Sequence, residues 1–319
     1  MLLEILLLIL GLVLLIFGAD KLVEGASSVA DKLGIPAFVI GLTVVAFGTS
    51  MPEMVVNILA SFSGNSGLAI GNVIGSNTIN ILVVVGITAI IRPITVMSST
   101  IRIEIPYSLL AAIVLFLLAN DLLIDGAEQS ILSRIDGMVL ITFLGLFLLY
   151  TYYSAKSDKY APITKVKKRK TYISILMIAG GILGLYFGGD LIVNSATTIA
   201  RSLGISDAII GLTVVALGTS LPELVTSAVA AYKGNSDIAI GNVLGSNIFN
   251  VFMVLGISSI IRPLPFYPAA NVDILVTGLA SILLFAFAIK GTGQKIDRRE
   301  GILFVTIYIA YIVYLVLTA

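Results

Sequence analysis

Two glutamates stand in matching surroundings: Glu53 closes the segment GTSMPE at residues 48–53, and Glu223 closes GTSLPE at residues 218–223. Both segments lie inside stretches apolar enough to sit in lipid. Burying a lone carboxylate in hydrocarbon costs at least about 2.5 kcal/mol, so an acid persists there when it faces a cavity, takes up a proton or binds a cation. No Lys or Arg falls at that depth in the same stretches to pair with either one. Thr49, Glu53 and Asn57 follow one another at i, i+4 and i+8 and so share a helix face; Thr219, Glu223 and Ser227 repeat the pattern, with Ser50 and Ser220 beside them. Downstream, Asn72, Ser76 and Asn80 make a second such face, as do Asn242, Ser246 and Asn250. Two carboxylates with hydroxyls, amides and backbone carbonyls furnish the six to eight oxygens that Ca2+ prefers, and their two charges neutralise it. Taken singly, any one of these Ser or Asn side chains is equally well read as an interhelical hydrogen-bonding group.

Pro52 and Pro222 add to the pattern. Each lacks an N–H and its ring crowds the carbonyl four residues back, which predicts a kinked or unwound helix near Gly48 and near Gly218, with the carbonyls of Ala46 to Gly48 set free. Irregular backbone at membrane depth is tolerated where it lines a cavity, and free carbonyls are ligands for a hard cation. The chain has no Cys and no His, which removes disulfides, thiolate sites, imidazole ligands and the usual near-neutral proton carrier. Metal chemistry here must use oxygen.

The elements that carry these residues are apolar throughout. With 319 residues, 12% charged and a mean hydropathy of +1.09, the composition departs from that of a soluble domain, about 25% charged, and is that of an integral membrane protein. Apolar runs of around 20 residues with short polar or Gly/Pro breaks predict helices rather than barrel strands. We expect ten spans, near 2–31, 37–62, 68–91, 104–120, 135–154, 172–201, 207–232, 238–261, 272–290 and 301–318. The longest polar gap, 155–171, is too short for a domain with its own core, so residues 1–319 are expected to form a single transmembrane domain. Residues 2–17 do not read as a secretory signal: Glu4 occupies the region that should be positive, and no small-residue cleavage site follows. Counting Lys and Arg by side, one side receives only Arg134, Arg201 and Arg262; the other receives the rest, including Lys156, Lys159, Lys165, Lys167, Lys168, Arg169 and Lys170. The positive-inside rule then puts the basic loop in the cytoplasm and both termini outside. The basic cluster also suits anionic lipid, although setting topology is the simpler role.

The chain is written twice. An offset of 170 aligns GLTVVAFGTS with GLTVVALGTS, GNVIGSNTIN with GNVLGSNIFN, and IRP with IRP. Roughly 35 of 60 positions agree without a gap from Gly34–Pro93 to Gly204–Pro263. Five spans per half make the second copy enter from the opposite side, giving an all-α fold of two inverted-topology repeats, residues 1–155 and 172–319, joined by a basic linker at 156–171. Such repeats with interrupted helices at matching places point to a secondary transporter whose site lies between the copies. A duplication made only to build a bundle should match best in its apolar patterning, yet here the polar stretches match best.

These paired motifs, GTSMPE with GNVIGSNTIN and GTSLPE with GNVLGSNIFN, resemble the two alpha-repeats of the sodium/calcium exchangers, in the cation/Ca2+ exchanger superfamily. The resemblance spans essentially the whole chain. It implies that Glu53 and Glu223 are the main cation ligands, joined by Thr49, Ser50, Ser76 and Asn80 from one copy and by Thr219, Ser220, Ser246 and Asn250 from the other, with Ala46 and Ala216 offering backbone carbonyls. It also implies antiport of several Na+ against one Ca2+ in a cell membrane, no cofactor beyond the transported ions, and first and sixth spans that move over the other eight. Neither a nucleic-acid partner nor enzymatic activity is expected, and a monomer should suffice. Some relatives carry Asp where this chain has Asn250, which favours potassium independence; the calcium-sensing insertion of animal exchangers is missing from the central loop. Asp20 and Asp190 match across the copies and are expected to hydrogen-bond at an interface rather than bind transported ions. The rival readings are a proton-coupled Ca2+ exchanger, a passive cation channel and, with no nucleophile–base pair or cofactor motif to support it, a membrane enzyme.

Overall fold

The computed structural model describes residues 2–124, 126–156, 169–204, 216–290 and 294–318. In chain order its helices are α1 (Leu2–Leu33), α2 (Ala37–Thr49), α3 (Met51–Ser63), α4 (Ser66–Ile91), α5 (Thr100–Leu118), α6 (Arg134–Ala155), α7 (Thr171–Ser202), α8 (Ala216–Thr219), α9 (Leu221–Tyr232), α10 (Ser236–Ile261), α11 (Ala270–Lys290) and α12 (Arg298–Thr318). Among the described residues, α1, α4, α5, α6, α7, α10 and α11 are each long and apolar enough to cross a membrane, and α2 with α3, bent by 46°, makes an eighth candidate. The protein is a helical, multi-pass membrane protein. Most of the expected linker, at 157–168, and the start of the expected seventh span, at 205–215, lie outside the described residues.

Burial sorts these helices into a centre and a periphery. In their most apolar windows α4 is 78% buried and α10 83%, whereas α1 and α7 are 22% buried. The sequence explains the difference. α4 carries Asn72, Ser76, Asn77 and Asn80 and α10 carries Asn242, Ser246, Asn247 and Asn250, and such groups are costly against lipid unless other helices surround them. Glycine lets α10 close on α2: a Cβ at Gly241 would lie 2.8 Å from the Phe38 carbonyl oxygen. Gly71 and Gly75 of α4, the counterparts of Gly241 and Gly245, meet nothing within 4 Å among the described residues.

α1 and α7 cross each other at equally small residues. A Cβ at Gly18 would meet the Gly181 carbonyl oxygen at 2.8 Å, and one at Gly181 would meet the Gly18 carbonyl oxygen at 2.7 Å. Their outer faces carry Leu, Ile and Phe exposed on the protein surface, as helices laid over a bundle and facing lipid should.

Ties between the halves are made twice, with the halves exchanged. Strand β1 (Ile94–Thr95) pairs antiparallel with Lys295–Ile296, and β2 (Ile131–Leu132) with β3 (Leu264–Pro265); the Lys295–Ile296 strand is β4. The sequence reading had not included these short ribbons. Arg92 packs on Gly234 and donates to the Tyr232 carbonyl, while Arg262, 170 residues further on, packs on Gly64. Gly64 and Gly234 end their helices at φ +77° and +84°, where a side chain would be strained.

The proline effect differs in detail from expectation. The break between α2 and α3 falls at Ser50 (φ −83°, ψ 8°), not at Gly48. Nor is the Ala46 carbonyl wholly free: it accepts the Ser50 N–H at 3.0 Å and the Thr49 hydroxyl at 3.3 Å. Pro tolerates the first turn of a helix, where its missing N–H has no partner to lose, so the chain bends just ahead of Pro52 and starts a new helix there.

Candidate cation site

That new start positions the acids. Glu53 and Glu223 occupy the first turns of α3 and α9, where the partial positive charge of a helix N-terminus favours a carboxylate. The second break repeats the first, at Ser220 with φ −88° and ψ 4°. Glu53, Glu223, Thr49, Ser50 and Ser246 are all wholly buried, as are Asn80 and Asn250, and Ser76 and Ser220 are nearly so.

Each carboxylate receives one serine from its own half and one from the other. Ser50 donates to Glu223 Oε1 at 2.9 Å and Ser246 to the same oxygen at 3.3 Å. Ser76 donates to Glu53 Oε1 at 3.4 Å and Ser220 at 3.5 Å. The second oxygen of each acid, Oε2, is buried with no hydrogen-bond partner. No Lys or Arg among the described residues pairs with either acid. Asn80 Oδ1, Asn250 Oδ1 and the Thr219 hydroxyl are likewise buried and unpartnered. A buried acceptor without a donor costs about 1–3 kcal/mol, more when charged. Here five such oxygens belong to residues named by the motifs, and a hard cation is the partner their chemistry suits. Among the described residues no group of three or more acidic side chains is placed to hold a metal ion, so two carboxylates with neutral oxygens are what the site offers.

The expected residues are therefore largely brought together. Ser50, Ser76, Ser220 and Ser246 touch the acids directly. Thr49 lies one step away, donating to Asn242 Oδ1 at 3.0 Å beside the Ser246 hydroxyl. Ala216 begins α8, with its side chain outside the description.

Two features were not foreseen. Asn80 and Asn250 each open a π-helical turn, Asn80–Val85 and Asn250–Leu255, an irregularity that often marks functional positions. Asn77 and Asn247, three residues earlier, bridge α4 to α10. They are the first Asn of each SNxxN, at 76–80 and 246–250.

The halves differ around the threonines. Thr49 is bonded into α10, whereas Thr219 lines a cavity of about 170 Å3 bounded also by Pro52, Tyr186, Asp190 and Gly218. Asp190 is exposed at this cavity, a correction to its expected place in an interface. Its counterpart Asp20 fits the expectation, held by Lys21 and by Lys233 of the loop after α9. At 190 the sequence supplies no such partners: position 191 is Leu and position 63 is Ser.

The chain resembles known proteins along nearly its whole length. The family model described as sodium/calcium exchanger protein matches residues 3–155 and 173–317. A putative antiporter, CaxA, of Alkalimonas amylolytica is 39% identical over 89% of each chain. The sodium/calcium exchanger MaX1 of Methanosarcina acetivorans is 32% identical over 97% of each. The solved structure of the sodium-calcium exchanger NCX_Mj soaked with 10 mM Na+ superposes with a TM-score of 0.82 at 37% identity, covering 98% of both chains.

Proposed function

The chain belongs to the sodium/calcium exchanger family, and from that premise we propose that it is a secondary antiporter exchanging several Na+ for one Ca2+ by alternating access. The observation that carries the proposal is the pair of buried acids, each held through one oxygen by serines of both halves and left open at the other. Ca2+ binds between Glu53 and Glu223, with Ser50, Ser76, Ser220, Ser246, Asn80 and Asn250 completing the oxygen set. Na+ ions use the same carboxylates together with Thr49, Thr219 and the carbonyls of Ala46 and Ala216. Shared ligands make the two loads mutually exclusive. Without ions, two uncompensated carboxylates in a closed, low-dielectric cavity are heavily penalised, so the unloaded site resists crossing. Ca2+ leaves the two acids neutral, while three Na+ would leave a net charge of +1, which makes transport electrogenic. With Asn rather than Asp at 250, K+ is not required. The protein carries ions and catalyses no covalent step, needs no cofactor and works as a monomer.

The frame for this cycle is ten spans in two inverted repeats of five, residues 1–155 and 172–319, with the linker 156–171 in the cytoplasm and both termini outside. In that orientation the cavity at Thr219 and Asp190 opens outward, and the Asp20–Lys233 pair closes the inner end. The loosely buried α1 and α7 are the elements that move.

Flux into vesicles of the purified protein tests the reading. Ca2+ uptake driven by an outward Na+ gradient at constant pH is the expected result. Uptake driven only by a pH gradient means proton coupling, and flux without any counter-ion means a channel.

A further inference from the structure

Nothing in the motif itself fixes which end of an asparagine faces the ions, since an amide turned over would offer N–H groups to a cation. The structure resolves this through two residues outside the expected ligand set. Asn77 Nδ2 donates to the Asn247 backbone carbonyl at 3.1 Å, and Asn247 Nδ2 donates to the Asn77 backbone carbonyl at 3.4 Å. A carbonyl can only accept, so each Nδ2 is committed to it and each Oδ1 must face the other way. Asn77 Oδ1 then accepts from Asn250 Nδ2 at 3.1 Å, and Asn247 Oδ1 accepts from Asn80 Nδ2 at 3.0 Å. With their donors taken, Asn80 and Asn250 are left with Oδ1 buried and unpartnered, on the helix faces that carry Ser76 and Ser246 to the acids.

We propose that Asn77 and Asn247 are crossed positioning residues that fix the polarity of the ion site: each grips the amide nitrogen of the asparagine on the opposite helix and thereby presents its oxygen to the cation. The inference rests on the exchanger reading for the identity of the ion. It extends that reading to side chains outside the ligand set and predicts a pairing that crosses between halves. Asn247 acts through Asn80, and Asn77 through Asn250. Residues three apart on one helix, Asn77 with Asn80 and Asn247 with Asn250, act independently. The arrangement also explains why Asp at 250 would not be a simple gain of charge here, because an ionised Asp has no hydrogen to give to Asn77 Oδ1.

Double-mutant cycles on the Ca2+ concentration for half-maximal uptake, with Ca2+ binding to detergent-purified protein measured by calorimetry alongside, test the pairing. Asn247→Ala and Asn77→Ala should each raise that concentration about tenfold, the worth of one positioned hydrogen bond, with the maximal rate little changed. Adding Asn80→Ala to Asn247→Ala, or Asn250→Ala to Asn77→Ala, should bring little further loss. The uncrossed doubles should multiply. Where an alanine variant does not fold, serine replaces it, since its hydroxyl can satisfy itself on its own helix. A wild type that exchanges normally but whose four doubles all multiply, or variants that lose maximal rate with affinity unchanged, overturns the positioning role and leaves the exchanger reading standing. A wild type that neither binds nor exchanges Ca2+ overturns both.

Discussion

Glu53 and Glu223 are the residues from which the rest follows, because each is fully buried, serine-bound on one oxygen and open on the other. Replacing either by Gln keeps the shape and the serine contacts but removes a charge that faces a divalent ion in a low-dielectric site. Glu53→Gln and Glu223→Gln should each reduce Ca2+ exchange by about 100-fold or more. Gel filtration and thermal melting should show the fold intact. Unchanged exchange in either variant would remove the basis of the assignment. These two acids were legible in the sequence because lipid makes an unpaired carboxylate conspicuous. The serines were legible by helical spacing. Asn77 and Asn247 were not, since a one-dimensional pattern does not reveal that α4 and α10 meet face to face at the centre of the bundle.

Among the helices, the crossing of α1 over α7 leaves no room for a side chain at its centre. A side chain at Gly18 would press on the backbone of Gly181 and Leu185, while one at Gly180 meets nothing within 4 Å. Gly18→Val should lower the melting temperature by several degrees and slow exchange, consistent with overpacking costs of about 1–3 kcal/mol. Gly180→Ala should leave both measurements unchanged. The opposite outcome would mean that the two helices do not pack as described. A second test concerns the end proposed to face inward, where Lys233 holds Asp20. Lys233→Met should favour opening there. The chain contains no Cys, so a single thiol introduced at Ser27, buried beside Asn235, reports that opening without background. Labelling of Ser27→Cys should accelerate several-fold in the Lys233→Met background; an unchanged rate would show that the pair is no latch. The break itself was read two residues too early, near Gly48 instead of Ser50. Proline announces a disruption, and the backbone then takes the cheapest place for it, just ahead of a new first turn.

The molecule as a whole is organised by its internal duplication. The offset of 170 was visible in the polar motifs, and it recurs in contacts the sequence did not foretell, Arg92 on Gly234 and Arg262 on Gly64; the ribbons β1 with β4 and β3 with β2 repeat the exchange of halves without keeping that spacing throughout. Where the halves part company, sequence differences at single positions decide, as with Lys233, which pairs with Asp20, against Ser63 at the corresponding position of the other half. In the orientation proposed from the Lys and Arg distribution, the ends of the chain face outward. A cysteine at Leu2 should react with an impermeant reagent on intact cells, and one at Lys168 only after permeabilisation; the reverse pattern would overturn the orientation. The central claim, that mirrored acids hold the two ions in turn, is tested most directly by Sr2+ soaked into crystals of the protein, with Sr2+ standing in for Ca2+. Anomalous density between Glu53 and Glu223 that disappears at high Na+ is the predicted result. Density elsewhere, or density between the acids that Na+ does not displace, would contradict it.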